Sequence, residues 1–226
     1  MASQNLNLSN PLSRTSNLIG GAALLLIAVL AGVGYLGVLS PLITVGDAAT
    51  TASVIADSLQ QFRLGVACMA LAAVLDIVVA AVLLALLTPV NATVAQAAAW
   101  FRVAYTAVFL VAITQLAIAP TLIDEPQALM NALDSYTIIW RTGLILFAVH
   151  LLLVGYLGFR SGFMPRVLAL LIAIAGVGYL VDGFGTILVA NYTPTISSLT
   201  FVGEVALIGW LFWSARAVRR LAPAMA

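Results

Sequence analysis

The stretch LIGGAALLLIAVLAGVGYLGVL, from Leu18 to Leu39, contains no charged residue and no proline. An α-helix rises 1.5 Å per residue, so about 20 apolar residues cross the hydrocarbon core of a bilayer. The stretch is long enough for that, and longer than the apolar region of about 7–15 residues in a secretory leader. It reads as a first membrane span. Five more segments repeat the pattern, and the six are placed at 17–40, 62–88, 97–119, 136–159, 166–189 and 197–215, the last being the shortest. The expected fold is all-α, a polytopic bundle of six transmembrane helices forming one membrane domain over residues 1–226.

Composition leads to the same place. Of 226 residues, 63% are hydrophobic and 8% charged, and mean hydropathy is +1.15. A soluble domain carries roughly 25% charged residues. So few charges cannot cover a water-facing surface, which makes the lipid bilayer the principal partner. A net charge of +1 gives no electrostatic footprint for nucleic acid. A single cysteine, Cys68, excludes an internal disulfide and a thiolate metal cluster. Every basic residue is arginine, which fits a GC-rich bacterial genome.

Arginine placement sets an expected orientation. Arg14 precedes the first span, Arg160 and Arg166 lie between the fourth and fifth, and Arg216, Arg219 and Arg220 follow the sixth. The opposite connections, 41–61 and 120–135, hold Asp47, Asp57, Asp124, Glu125 and Asp134 and no arginine. Basic residues are retained on the cytoplasmic side. Both termini are therefore expected there, in the bacterial inner membrane. Trp100, Trp210 and Trp213 fall near the inner interface and Trp140 near the outer one.

The outer connections have helical character. Gly46-Asp47 is expected to cap a short helix with Ile55, Leu59 and Phe62 on one face. Asp124-Glu125-Pro126 looks like the start of a second, with Leu129, Met130 and Leu133 on one side. Both are expected to be short amphipathic helices at the membrane surface. Ala28 and Gly32 form one small-xxx-small pair and Ala169 and Ala173 another, the spacing that lets helices approach closely in lipid. The hexapeptide Ala31-Gly32-Val33-Gly34-Tyr35-Leu36 recurs as Ala175-Gly176-Val177-Gly178-Tyr179-Leu180, in two spans of the same direction. Duplication and low complexity both account for it.

A charged side chain at the centre of a membrane helix costs about 2.5–3.5 kcal/mol on insertion scales. It persists when paired, or when it faces water or a ligand. Seven ionisable residues fall within the spans: Arg63, Asp76, Arg102, Arg141, His150, Asp182 and Glu204. Counting along the helices puts Arg63, Arg141, Asp182 and Glu204 in the outer half. Asp76 and His150 fall nearer the middle, and Arg102 near the inner end of the third span. The balanced signs suggest that Arg63 and Arg141 pair with Asp182 and Glu204. The result is either a register-fixing ion network or a polar pocket opening outward for a small polar or anionic molecule. On that pairing, Arg141→Met strands a carboxylate and destabilises the bundle by about 3–5 kcal/mol. Asp76 has Arg102 and His150 as candidate partners, or is protonated. No cofactor and no metal are predicted. As the sole histidine, His150 is at most a single ligand to a haem or chlorophyll-type ring.

Several segments read together as a pattern: Gly46-Asp47-Ala48, Phe62-Arg63-Leu64-Gly65, Leu87-Thr88-Pro89-Val90-Asn91, Phe101-Arg102, Gly155-Tyr156-Leu157, Gly178-Tyr179-Leu180, Gly203-Glu204 and, most specifically, Arg160-Ser161-Gly162-Phe163-Met164-Pro165-Arg166. Over about residues 14–215 this resembles a large bacterial family of six-helix membrane proteins known only as a domain of unknown function. The resemblance implies the fold and topology and carries no activity. Arg63, Arg102 and Glu204 fall on its pattern residues. Three functions stay open. The first is a scaffold, accessory or ligand-binding subunit, with other subunits of a membrane complex as candidate partners. The second is a small-solute transporter or channel using an outward polar pocket. The third is an intramembrane enzyme acting on a lipid or quinone-like substrate near His150 and Glu204.

Overall fold

The computed structural model describes residues 13–190 and 192–221, and among them every regular element is helical. The helices are α1 (Arg14–Ala31), α2 (Ala48–Asp57), α3 (Leu59–Leu87), α4 (Ala92–Ile118), α5 (Pro126–Arg160), α6 (Arg166–Leu188), α7 (Ile196–Thr200) and α8 (Val202–Leu221). Six continuous helical runs are long and apolar enough to cross a membrane: Arg14–Leu42, Leu59–Leu87, Ala92–Leu122, Pro126–Arg160, Arg166–Leu188 and Ile196–Arg216. The chain is a polytopic membrane protein. Large apolar side chains such as Leu36, Leu64, Val167 and Leu188 stand on its surface, more than half exposed, as a lipid solvent requires.

Short turns force successive spans to run in alternate directions. At one turn Pro89 follows α3, and Asn91 caps α4 by accepting from the Val94 N–H at 3.0 Å. At the other, the Ser161 hydroxyl donates to the Gly158 carbonyl at 2.7 Å and accepts from the Met164 N–H at 3.0 Å. Gly162 adopts φ +72°, a left-handed conformation that costs glycine nothing, and Pro165 precedes α6. The most specific motif of the sequence is thus a turn that reverses the chain.

Each span packs against its neighbours in sequence, and α8 returns to pack on α1, closing the cyclic order α1–α3–α4–α5–α6–α8. The α5–α6 contact is backbone to backbone. A Cβ on Gly155 would stand 2.9 Å from the Ala169 carbonyl oxygen and 2.9 Å from Ala173 Cβ, and one on Gly176 would stand 2.9 Å from the Ala148 carbonyl oxygen. The Ala169–Ala173 pair is therefore a helix contact. Ala28 is exposed, and a Cβ on Gly32 would meet nothing within 4 Å, so the other small pair marks no close helix contact among the described residues.

The two surface helices differ from expectation, and two further features refine the spans. The second surface helix does not exist as a separate element. Residues 126–135 are the first turns of the 35-residue α5, because nothing between Pro126 and Tyr136 breaks the helix. Leu129, Met130, Leu133 and Tyr136 form one continuous buried stripe. The sixth run is bent: α7 ends at Thr200 and α8 begins at Val202. The repeated hexapeptide adopts two conformations. Its second copy is α-helical, while the first passes into a π-helical segment, Gly32–Leu39. The capped helix does form but is shorter than expected: α2 ends at Asp57, and Leu59 and Phe62 belong to α3. Asp47 accepts from the Thr50 N–H at 2.9 Å and the Thr50 hydroxyl at 2.6 Å, and Ile55 and Phe62 are fully buried. The hydroxyl bond, followed by the amide bond, holds the Asp47 carboxyl below its ordinary pKa.

Candidate functional site

Asp76 of α3, Arg102 of α4 and His150 of α5 meet inside the bundle, and each is at least nine-tenths buried. They meet because they lie equally far from one end. Asp76 precedes the α3–α4 turn, Arg102 follows it, and His150 precedes the α5–α6 turn, each by about 15–18 Å of helix. That depth is near the centre of a hydrocarbon core roughly 30 Å thick. Arg102 thus lies deeper than the inner-end position expected from a span starting at 97, because α4 begins at Ala92.

The hydrogen bonds fix the chemistry of this triad. Arg102 donates to Asp76 Oδ1 from Nε at 3.0 Å and from Nη2. Arg102 Nη1 lies 3.2 Å from His150 Nε2, and His150 Nδ1 lies 2.8 Å from the Ala98 carbonyl oxygen. A guanidinium only donates and a carbonyl only accepts. His150 is therefore the neutral tautomer with its proton on Nδ1, and Nε2 accepts from Arg102. The guanidinium also lies over the Phe147 ring, 5.2 Å from its centroid. Arg102–Asp76 is the one ion pair among the described residues. Both His150 nitrogens are committed, so coordinating a ring or moving a proton would require displacing Arg102 or Ala98.

The four outer charges do not form the expected network. Arg63 is exposed on α3, which packs against α1, α4 and the segment around α2 rather than α6 or α8. Asp182 receives four other donors: the Tyr192 hydroxyl (2.7 Å), the Ile196 N–H (3.3 Å), the Ser197 N–H (2.7 Å) and the Ser197 hydroxyl (2.6 Å). From α6 it caps the start of α7. The cost of leaving its charge in the bundle is met by these donors and not by arginine. Tyr192, held by this bond, has its phenol pKa raised. Arg141 nevertheless shares a cavity of about 140 Å³ with Asp182, lined also by Trp140, Leu144, Gly183, Pro194, Ser197 and Ser198. It is half-buried there and forms no ion pair. Glu204, at the start of α8, stands beside Tyr179 within electrostatic reach of Arg102, and its Oε1 is buried without a hydrogen-bond partner.

Sequence reading missed the aromatic wall joining these sites. Tyr35, from the π-helical segment, lies 6.1 Å from both Tyr136 and Trp140, and Trp140 donates from Nε1 to the Tyr105 hydroxyl at 3.2 Å. Tyr105 packs on Phe147 at 4.9 Å, and Phe147 meets Tyr179 edge-on at 5.6 Å. The aromatic spacing along α5, at Tyr136, Trp140 and Phe147, was the available signal. Among the described residues, no three of His, Cys, Asp and Glu gather closely enough to hold a metal ion.

Fold and site together define a polytopic membrane bundle sealed at its centre by a neutralised triad, with a small polar cavity toward the end away from the termini. The chain belongs to the DUF4386 family, a domain of unknown function, whose model matches residues 19–214. An uncharacterized protein of Archaeoglobus fulgidus is 35% identical over 138 residues, covering 61% of this chain and 75% of that protein. No solved structure matches.

Proposed function

We propose that this protein is a ligand-binding or accessory subunit of the bacterial cytoplasmic membrane, with its termini inside and its small polar cavity facing out. One observation carries the reading: the Arg141 guanidinium lines a cavity of about 140 Å³ while the neighbouring carboxylate is already satisfied by other donors. Its positive charge is left for a small anion or the acidic group of a small polar molecule. The exposed Ser198, which also lines the cavity, adds a polar partner. Arginine bias supports the orientation, because Asp47, Asp57, Asp124, Glu125 and Asp134 are exposed at the cavity end while Arg160 and Arg166 are exposed at the other. The triad acts as a structural clasp, since all three residues are engaged with one another. The side chains of Arg219 and Arg220, which entered the orientation argument, lie outside the described residues.

The test is a thermal-unfolding screen of detergent-purified protein against small carboxylates and phosphates. At least one compound is expected to stabilise the wild type and have no effect on Arg141→Met. If no compound does so, or the variant responds equally, the cavity is not a binding site. A second reading, a small-solute transporter, is favoured by the π-helical segment, whose Tyr35 touches the cavity residue Trp140. It predicts uptake of the same compound into proteoliposomes.

A further inference from the structure

A second cavity, of about 350 Å³, lies at the opposite end of the bundle. Two turns that the sequence pattern singles out meet there. Pro89, Val90 and Asn91 come from the α3–α4 turn, and Arg160, Ser161 and Phe163 from the α5–α6 turn, with Tyr156 completing the wall. Arg160 is exposed, at the last residue of its span, and takes part in no ion pair among the described residues. Its guanidinium lies over the Tyr156 ring, 6.0 Å from the centroid, and Tyr156 is itself 48% exposed on the bundle's surface. Arg166 repeats the arrangement over Phe159 at 5.5 Å.

Charge makes this end unusual. Arg14, Arg160, Arg166 and Arg216 lie here, yet no aspartate or glutamate does, because all eight acidic residues occupy the other end or the bundle interior. The chain supplies no acidic side chain to these arginines, so their counter-ion comes from outside. An exposed aromatic ring topped by a guanidinium, at the level where a span meets water, offers apolar area below and positive charge above. We infer that the cavity holds the headgroup of an anionic phospholipid, its phosphate on Arg160 and its acyl chain along Tyr156. Basic pockets at span ends are suited to such headgroups. The site is distinct from the Arg141 cavity, and neither depends on the other.

Native mass spectrometry of the full chain, released from mixed micelles containing phosphatidylglycerol and phosphatidylcholine in equal amounts, tests the inference. The wild type is expected to retain phosphatidylglycerol about tenfold over phosphatidylcholine. Arg160→Gln should remove that preference, and Arg160→Lys should keep most of it. Arg216→Gln removes a charge at the same end but outside the cavity, and should leave the preference intact. The Arg160 side chain makes no hydrogen bond among the described residues, so its variants are expected to fold, which their unchanged unfolding temperature would verify. Equal losses in the Arg160 and Arg216 variants would reduce the effect to unspecific surface charge and overturn the site. Equal retention of both lipids by the wild type would overturn it too. Displacement of phosphatidylglycerol by millimolar inorganic phosphate would show that a soluble anion, not a lipid, is the occupant.

Discussion

Arg102 and Arg141 are the same residue in two neighbouring apolar helices, and the bundle treats them in opposite ways. Arg102 is 3% exposed and makes contacts with a carboxylate, an imidazole and an aromatic face. Arg141 is half-buried at a cavity, without a counter-ion, beside a carboxylate that caps another helix. A charge within a span therefore has two stable solutions. It is neutralised inside the fold, where it holds helices in register, or it is left facing a cavity, where a ligand or water completes it. Only the second kind is available for binding.

The largest effect expected from this contrast is on stability. Arg102→Met leaves Asp76 without its partner at the centre of the bundle, and breaking one side of a buried pair costs about 3–5 kcal/mol. Arg141→Met strands nothing, since Asp182 keeps its four donors, and should cost less than about 1 kcal/mol. Unfolding of both variants in detergent, followed by circular dichroism, makes the comparison. Equal stabilities would erase the distinction between the two arginines. The double variant Arg102→Met/Asp76→Leu sharpens it. Removing both charges should recover much of the loss, because a buried pair replaced by apolar groups of similar volume is often nearly neutral.

The next effect separates charge from packing as the glue of the same helices. Gly155→Val would push a side chain into the Ala169 carbonyl and Ala173. Overpacking of this kind costs about 1–3 kcal/mol, and backbone contact puts this site at the upper end. The damage should show as a lowered unfolding temperature in detergent, larger for Gly155→Val than for Gly155→Ala. Unchanged stability of both variants would mean that the charge triad alone sets the spacing of the spans.

How much of this was legible in the sequence differs between the two arginines. Hydropathy located six spans, and arithmetic from the turns suffices to bring Asp76, Arg102 and His150 to one level. Arg102 lies deeper than a span beginning at 97 implies, because the weakly apolar residues Ala92–Gln96 are also helical. Counting along the helices brings Arg141 and Asp182 to a similar level, and the two do line one cavity. Depth, however, says nothing about which donor reaches a carboxylate first. Tyr192, on the short connection after α6, and Ser197, in the first turn of α7, are close in sequence to Asp182, and they reach it at lower conformational cost than an arginine on another helix. Arg63 failed for a related reason, since helix order around the bundle is not encoded in depth. The hexapeptide echo makes the same point. Identical residues become π-helical beside α3, where Gly34 meets Gly65 and Cys68, and α-helical beside α5, so context and not the local string decides.

The smallest effect concerns a charge with neither solution, because it lies in water. Asp47 is exposed and caps α2 through Thr50. Its carboxyl is held below its ordinary pKa of 3.8, so the stability it lends α2 is full above that value and lost as pH falls through the lower, folded-state pKa. Hydrogen exchange at the Thr50 and Thr51 amides should therefore quicken below about pH 4, while Ala73 and Ala112 in the core stay protected. Asp47→Ala should show the fast exchange at neutral pH, and Asp47→Asn, which keeps an acceptor for the Thr50 amide, should fall between. Because α2 packs on α5, any loosening that spread to the Tyr136 region would tie this exposed cap to the cavity wall. Exchange confined to the first turn of α2 is the outcome expected if a solvated charge, unlike Arg102, acts only where it sits.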